Sequence, residues 1–303
     1  MSFENRREYL FVYSVKDANP NGDPLDANHP RYDEESGQIM VSDVRIKRTV
    51  RDQWLREGRD VFVDGEAKTL ASRMKELKEK FKCSTSREML SNCIDTRLFG
   101  VTYALGNKEA FSWTGPVQFK WGRSLHRAEA KFVQGTAAFA TKEASEQRSF
   151  RNEYIVPFAL IAVYGIANQY ASGQTNASDA DLDSLFEALW KGTANLITRS
   201  KIGHTPRLLI EFKYVVGFDG ALGSLDEKVV LKSLKGDPLS DDEQLALRSI
   251  DDVKLDISEI ADKASLIRDK IESVRIIRDA AVNFEPLDKL EDIFGGKLKI
   301  EVR

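Results

Sequence analysis

Hydrophobic and polar positions alternate from Tyr9 to Val15, and both registers of the alternation are filled. Tyr9, Phe11, Tyr13 and Val15 fall on one side, Leu10, Val12 and Ser14 on the other. A run that is apolar on both sides and rich in aromatic and β-branched residues predicts a central strand. The pattern stops at Asn19-Pro20-Asn21-Gly22-Asp23-Pro24, residues that resist helix or tolerate unusual backbone angles. It resumes with a period near four: Ile46, Val50 and Trp54 form the buried stripe of a helix that Ser42 or Asp43 caps. Arg45, Lys47, Arg48 and Arg51 are left facing outward, close to the loop.

Further along, Leu70, Met74, Leu77 and Phe81 repeat with helical spacing, and residues 56–92 read as a helical insertion. Strands are expected around 98–121; there Val117, Phe119 and Trp121 alternate with Gln118, Lys120 and Gly122, giving a half-buried strand. Residues 131–155 form a hairpin with too little apolar content to be core, so it projects. Phe158 to Tyr170 is apolar throughout, and periodicity leaves strand and buried helix both open. A polar linker, Ser172 to Asn176, precedes a helix from Asp179 whose Leu182, Leu185, Phe186, Leu189 and Trp190 share a face. Arg199 to Arg207 joins it to a strand from Leu208 to Val216. This β-α-β-β-α-β order predicts an α+β, ferredoxin-like palm over residues 1–216, the arrangement that also carries RNA-recognition folds. Beyond it, residues 237–250 suggest a short acidic helix. One long helix runs from Ile257 through Ile260, Ala264, Ile267, Ile271, Val274 and Ala281. A last strand, Lys297 to Val302, is expected to complete the sheet, and residues 217–303 are expected to be a helix-rich extension packing on the palm.

Charge changes this picture. The net charge of −3 argues against a nucleic-acid binder, yet residues 217–303 hold 14 Lys+Arg against 20 Asp+Glu, leaving 31 against 28 in residues 1–216. The cations there cluster at 45–51, 120–127 and 199–207, and a nucleic acid held in a groove needs a basic stripe, not a basic surface. Backbone amides of the Asn19–Gly22 loop beside the helix cations make a physical site for phosphate oxygens. No apolar run has signal-peptide or membrane-spanning length, and Cys83 and Cys93 suit a reducing cytoplasm. The three histidines and two cysteines lack metal-ligand spacing, and neither a Walker loop nor a nucleophile elbow is found. No cofactor, metal or catalytic residue is therefore expected. Two alternatives remain: a metal-dependent ribonuclease using Asp95, against an ion pair with neighbouring Arg97, and a structural oligomer built on the long C-terminal helix.

Asn19 to Pro24, Pro30-Arg31-Tyr32-Asp33 and Ser42 to Arg48 together resemble the opening of the backbone subunit of type I CRISPR interference (Cascade) complexes, a branch of the repeat-associated RNA-binding superfamily. The type I-B subunit is nearest and the type I-C subunit close. Asp95 to Gly100, Thr114 to Phe119, Arg123 to His126 and Tyr154 to Pro157 continue the resemblance in order. It implies a non-catalytic subunit with an RNA-recognition palm, helical fingers at about 56–92 and a hairpin thumb at about 132–155. Copies would polymerise along a CRISPR RNA, flip out bases at intervals with the thumb, and leave the rest to pair with target DNA. Implied partners are the RNA-processing endonuclease, the guide-end cap, the large subunit and a recruited helicase-nuclease. RNA contacts would fall on Asn19, Asn21, Gly22, Arg31, Arg45, Lys47, Arg48 and Arg51, on Gln118, Lys120, Arg123 and Ser124, and on Arg148, Arg151, Arg199, Lys201 and His204.

Overall fold

A computed structural model describes residues 1–26, 28–66, 69–105, 109–136 and 150–303. The chain is a mixed α+β protein. β1 (Arg7–Ala18) leads through the short strands β2 (Tyr32–Asp33) and β3 (Gln38–Val41) into α1 (Asp43–Arg56). Next come α2 (Leu70–Phe81), α3 (Ser86–Ser91), α4 (Ile94–Phe99), and the hairpin of β4 (Gly100–Leu105) and β5 (Glu109–Thr114). β6 (Val117–Phe119), β7 (Gly122–Ser124), β8 (Lys131–Thr136) and β9 (Phe150–Ala167) follow, then α5 (Gln169–Thr175), α6 (Asp179–Ala194) and β10 (His204–Tyr214). The remainder holds β11 (Val230–Ser233), α7 (Asp241–Ala246), β12 (Val253–Asp256), α8 (Ser258–Leu266), β13 (Ile271–Arg278), β14 (Phe284–Glu285), α9 (Leu287–Phe294) and β15 (Leu298–Val302).

The main sheet runs β15-β13-β10-β1-β9-β7-β3-β2, with β6 and β8 also paired to β9. β1 is antiparallel to both neighbours, Phe11 lying between Leu209 and Val163. Its two apolar registers feed two cores. Tyr9, Phe11, Tyr13 and Val15 pack with Ile46, Val50 and Trp54 of α1 and with Leu182, Leu185 and Leu189 of α6. Leu10 and Val12 join Leu208, Ile210 and Phe212 beneath Leu225, Leu255, Ile260 and Phe294. Glu8, fully buried in β1, fastens this second cover: its carboxylate accepts from the Leu222 amide at 2.7 Å, the Gly223 amide at 2.8 Å and both the Tyr164 and Tyr214 hydroxyls. A third core, with Met74, Leu77, Leu90, Tyr103 and Trp113, joins α2 and α3 to the β4–β5 hairpin.

Four expectations need correction. Residues 217–303 pack on the main sheet, but the predicted long helix stops at Leu266, and Ile271–Arg278 is a strand inside that sheet. Its β-branched Ile271, Val274, Ile276 and Ile277 suit a pleated surface, and the heptad spacing was incidental. With that helix goes the element on which the structural-oligomer alternative rested. The polar stretch from Ser172 lies in α5, whose amides Asn168 caps. Of the strands expected around 98–121, residues 94–99 are helical and β4–β5 stands as its own two-stranded sheet; β6 and β7 alone pair with the main one. Trp121 is 43% exposed. Phe119 pairs with Gly165 and Arg123 with Ala162, so four steps on one strand oppose three on the other. That is a β-bulge at Lys120–Gly122, and it ends the inward alternation after Phe119. For Phe158 to Tyr170, left open by periodicity, the outcome is strand as far as Ala167.

Candidate nucleic-acid interface

The Asn19–Pro24 turn is anchored on α1. Ser42 caps that helix by accepting from the Arg45 amide at 3.3 Å, and its own amide and hydroxyl donate to Asn21 Oδ1 at 2.8 and 2.9 Å. The Asn21 carbonyl accepts from the Arg31 amide at 2.9 Å, which closes the loop. From the other side the turn preceding β10 docks on the end of β1. Asn19 N–H donates to the Ser200 carbonyl at 2.9 Å, and Lys16 N–H to the Gly203 carbonyl at 2.9 Å. Gly203 is required there, because a Cβ would lie 1.8 Å from the Lys16 carbonyl oxygen.

Between these turns and the base of the β8–β9 hairpin lies a groove of about 540 Å³. Asp17, Asn19, Gly22 and Asn28 line one side, Arg199, Ser200 and Lys201 another, and Asn152 to Ile155 the third. Lys201 donates its ammonium to the Asn19 carbonyl; burial, with help from Arg45, lowers its pKa to about 8. Arg199 is exposed and pairs with Glu153 at 3.0 Å. His204 sits just behind, its Nδ1 against the Lys201 carbonyl at 2.6 Å. Burial depresses His204 to about 4, so it is neutral at pH 7. Among the described residues, nine buried side-chain polar atoms lack a hydrogen-bond partner. Asn19 Oδ1 is one of them, in the groove; Arg45 Nε and His204 Nε2 are two more, at the small cavity behind it, and Arg31 Nε, in the loop, is a fourth.

The four α1 cations do not form one outward cluster, which corrects the sequence reading. All are half-buried, and each faces an acid of the same chain: Arg45 and Arg48 meet Asp52, Lys47 meets Asp43 at 3.1 Å, and Arg51 meets Asp95 at 2.8 Å. Successive residues turn by about 100° around a helix, and the four therefore diverge. Arg45 leans toward Pro20 and His204, sharing a small cavity with them. Lys47 and Arg51 lie over the Phe99 ring at 5.6 and 5.2 Å, and Lys47 also reaches Gln118 Oε1 at 3.4 Å. Arg48 donates to the Val63 carbonyl at 2.9 Å. The structure thus brings Asn19, Asn21, Gly22, Arg45, Arg199, Lys201 and His204 together, and sets Lys47, Arg51 and Gln118 apart from them.

A family model described as CRISPR-associated protein Cas7 matches residues 5–258. The chain belongs to the Cas7 family. A Cas7 protein of Haloferax volcanii is 29% identical over 317 residues, covering 94% of this chain and 90% of that one. Chains of two solved structures share the fold. One, from a CRISPR RNA-guided surveillance complex in a pre-nicking state, has a TM-score of 0.56 at 13% identity, covering 95% of this chain and 98% of that one. Another, from a CRISPR RNA-guided surveillance complex, has a TM-score of 0.52 at 15% identity, with 94% and 96% covered. The family resemblance carried by the Asn19–Pro24 and Ser42–Arg48 motifs is borne out.

Within this Cas7 chain, several expected contact residues serve other ends. Ser124 is buried; its hydroxyl accepts from the Ile39 amide at 3.1 Å and donates to the His126 carbonyl at 2.7 Å, joining β3 to β7. Lys120 points to the second cover and pairs with Asp226 at 3.1 Å and Glu227 at 2.5 Å. Arg123 pairs with Asp33 at 2.7 Å, and the Arg31 guanidinium lies over the Trp121 ring at 5.1 Å. Arg148 lies outside the described residues, as does the side chain of Arg151. Asp95 pairs with Arg51, not Arg97, and its fully buried carboxylate also accepts from the Phe62 and Val63 amides at 2.7 and 3.1 Å. Arg97 instead grips Asp181. Three donors engage three of the carboxylate's roughly four lone-pair sites and burial keeps it from solvent, which favours an ion-pair role for Asp95 over the ribonuclease alternative. The sequence reading also missed residues. Tyr154 packs edge-on against His29 at 4.6 Å and Phe132 at 5.3 Å, an aromatic ridge from the hairpin to the loop. An aromatic in a hairpin that needs no core was the available signal.

Proposed function

We propose that this Cas7 chain is a non-catalytic backbone subunit of a CRISPR RNA-guided surveillance complex, binding the sugar–phosphate backbone of a CRISPR RNA without reading its sequence. The observation that carries this reading is the groove between the Asn19–Gly22 turn, the Arg199–Lys201 turn and the hairpin base, lined by the cations Arg199 and Lys201 and by Asn19, whose buried Oδ1 has no partner. A subunit that must hold any guide should touch phosphates and sugars and leave base edges to pairing. Weak contacts repeated over several copies on one RNA sum by avidity.

A ferredoxin-like palm fits the strand order β10-β1-β9 with β6 and β7 beyond, and α1 and α6 on one face. The face that RNA-recognition domains expose is covered here by the segment beyond residue 217, which favours a strand running past the loop edge. The region of the third core would be the fingers, reaching to Trp113, and the β8–β9 hairpin the thumb. Pairing with target DNA, and assembly with further copies and with the processing endonuclease, guide-end cap, large subunit and recruited helicase-nuclease, complete the reading.

The test is anisotropy of labelled single-stranded RNAs of several lengths and sequences across a salt series. Affinity should rise with length, tolerate sequence, and fall steeply with salt, at a slope of roughly −0.7 per phosphate contacted. Arg199→Ala and Lys201→Ala should each make the slope shallower by about one contact. Salt-insensitive binding, or binding confined to one sequence, overturns the reading.

A further inference from the structure

The bulge at Lys120–Gly122 does more than end a strand. Gly122 lies so close over β9 that a Cβ would meet Val163 Cγ2 at 2.9 Å and Ile161 Cγ2 at 3.0 Å. The strand hugs the core immediately after the bulge, and the bulged residue is turned out of it, a recognised use of bulges for re-aiming a side chain. Trp54, Trp113 and Trp190 are buried, so Trp121 alone of the four tryptophans presents its ring to solvent. Exposing an indole forgoes a large apolar burial. One side of the ring is occupied by the Arg31 guanidinium at 5.1 Å.

Its position relates it to the groove. Val41 pairs with Gly122, so Ser42, which holds Asn21, and Trp121 leave the β3–β7 ladder at the same end. Arg31 is tied to Asn21 through its backbone amide. The indole and the groove therefore adjoin the same turn. The Arg31 guanidinium lies over the ring, and the Arg123–Asp33 ion pair at 2.7 Å is two residues along the chain. A flat, exposed ring with a cation over one face suits a planar π-system.

We propose that Trp121, backed by Arg31, is a stacking platform for an unpaired nucleobase of the strand held in the adjacent groove. This rests on the RNA-binding reading above. Stacking on aromatic rings tolerates every base because each has a π-face, which is compatible with a subunit that ignores sequence, and the guanidinium adds a cation–π contribution.

The experiment measures anisotropy of a labelled decaadenylate, a labelled decadeoxyadenylate and a labelled abasic strand of equal length, alongside intrinsic tryptophan emission. Binding of decaadenylate should quench the solvent-exposed part of the emission, and Trp121→Phe should abolish that quench while keeping affinity within about twofold. Trp121→Ala should weaken decaadenylate binding on the order of tenfold. Trp121→Leu, which keeps an apolar side chain against Arg31 without a π-face, should do the same and guards against a fold defect in the alanine variant. The abasic strand should bind wild type and Trp121→Leu alike. Equal quenching by the deoxy strand would assign the platform to bases of either nucleic acid; quenching by the ribo strand alone would assign it to RNA, and both support the proposal. If decaadenylate binds with the expected salt slope but leaves emission and the leucine variant's affinity unchanged, the platform is overturned and the RNA-binding reading stands. If no strand binds, both fall.

Discussion

Lys201 shows how a single side chain can carry a signature of the site. Its ammonium is held against the Asn19 carbonyl, and burial beside Arg45 lowers its pKa to about 8. A phosphate in the groove would favour the charged form and raise that value. Above pH 8, binding must then draw in a proton, so affinity for an oligoadenylate should fall as pH rises from 7 to 9, by at most about tenfold per unit. Lys201→Arg should flatten the profile, because a guanidinium stays protonated throughout. A wild-type profile equally flat would remove Lys201 from the contact. That Lys201 is cationic was legible from its letter; its desolvation was not, since that depends on Asn19 and Arg45, distant in the chain. The same holds for the α1 cations. Their types and spacing were plain, but their neutralisation by Asp52, Asp43 and Asp95 required the folded chain.

The turn joining α6 to β10 is the element on which the groove depends. It closes against β1 through Gly203, where a side chain would collide with the Lys16 carbonyl oxygen at 1.8 Å. Backbone against backbone has no flexible end to yield. Gly203→Ala should therefore cost about 1–3 kcal/mol, seen as a lower urea midpoint at an unchanged slope. It should also weaken RNA binding, since Ser200 and Lys201 move with the turn; an unchanged midpoint would show that the turn is not held as described. Local pattern performed well on elements with a long, one-sided signal. The Ile46–Val50–Trp54 stripe and the Leu182–Leu185–Leu189 face are helices packed on one core. It performed badly where two readings share a spacing. Ile267, Ile271 and Val274 satisfy a heptad, yet Ile271–Arg278 is held as a strand between β10 and β15. Pairing with partners far away in sequence decides between the two, and no local window contains those partners.

The segment beyond residue 217 is part of the molecule's core, not an appendage. It covers Leu10, Val12, Leu208, Ile210 and Phe212 and adds two strands to the main sheet. A chain ending at residue 216 should therefore lose cooperative unfolding and bind an apolar dye, because a large apolar sheet face would meet water. A soluble, cooperatively unfolding product of that length would contradict this account. Its acidity also has a place: Asp226 and Glu227 hold Lys120, Asp241 holds Arg127, and Asp279 holds Arg207, so part of the basic stripe is balanced from within. From the order of its residues alone, this protein revealed its family motifs, its central strand and the two helices behind it, because those rest on short-range periodicity and on turn chemistry. Which cations stay available, where the sheet ends, how the bulge turns Trp121 outward and what closes around Asn19 were decided only in three dimensions. Each of these is a contest between burial and pairing, settled by groups that the chain brings together from far apart.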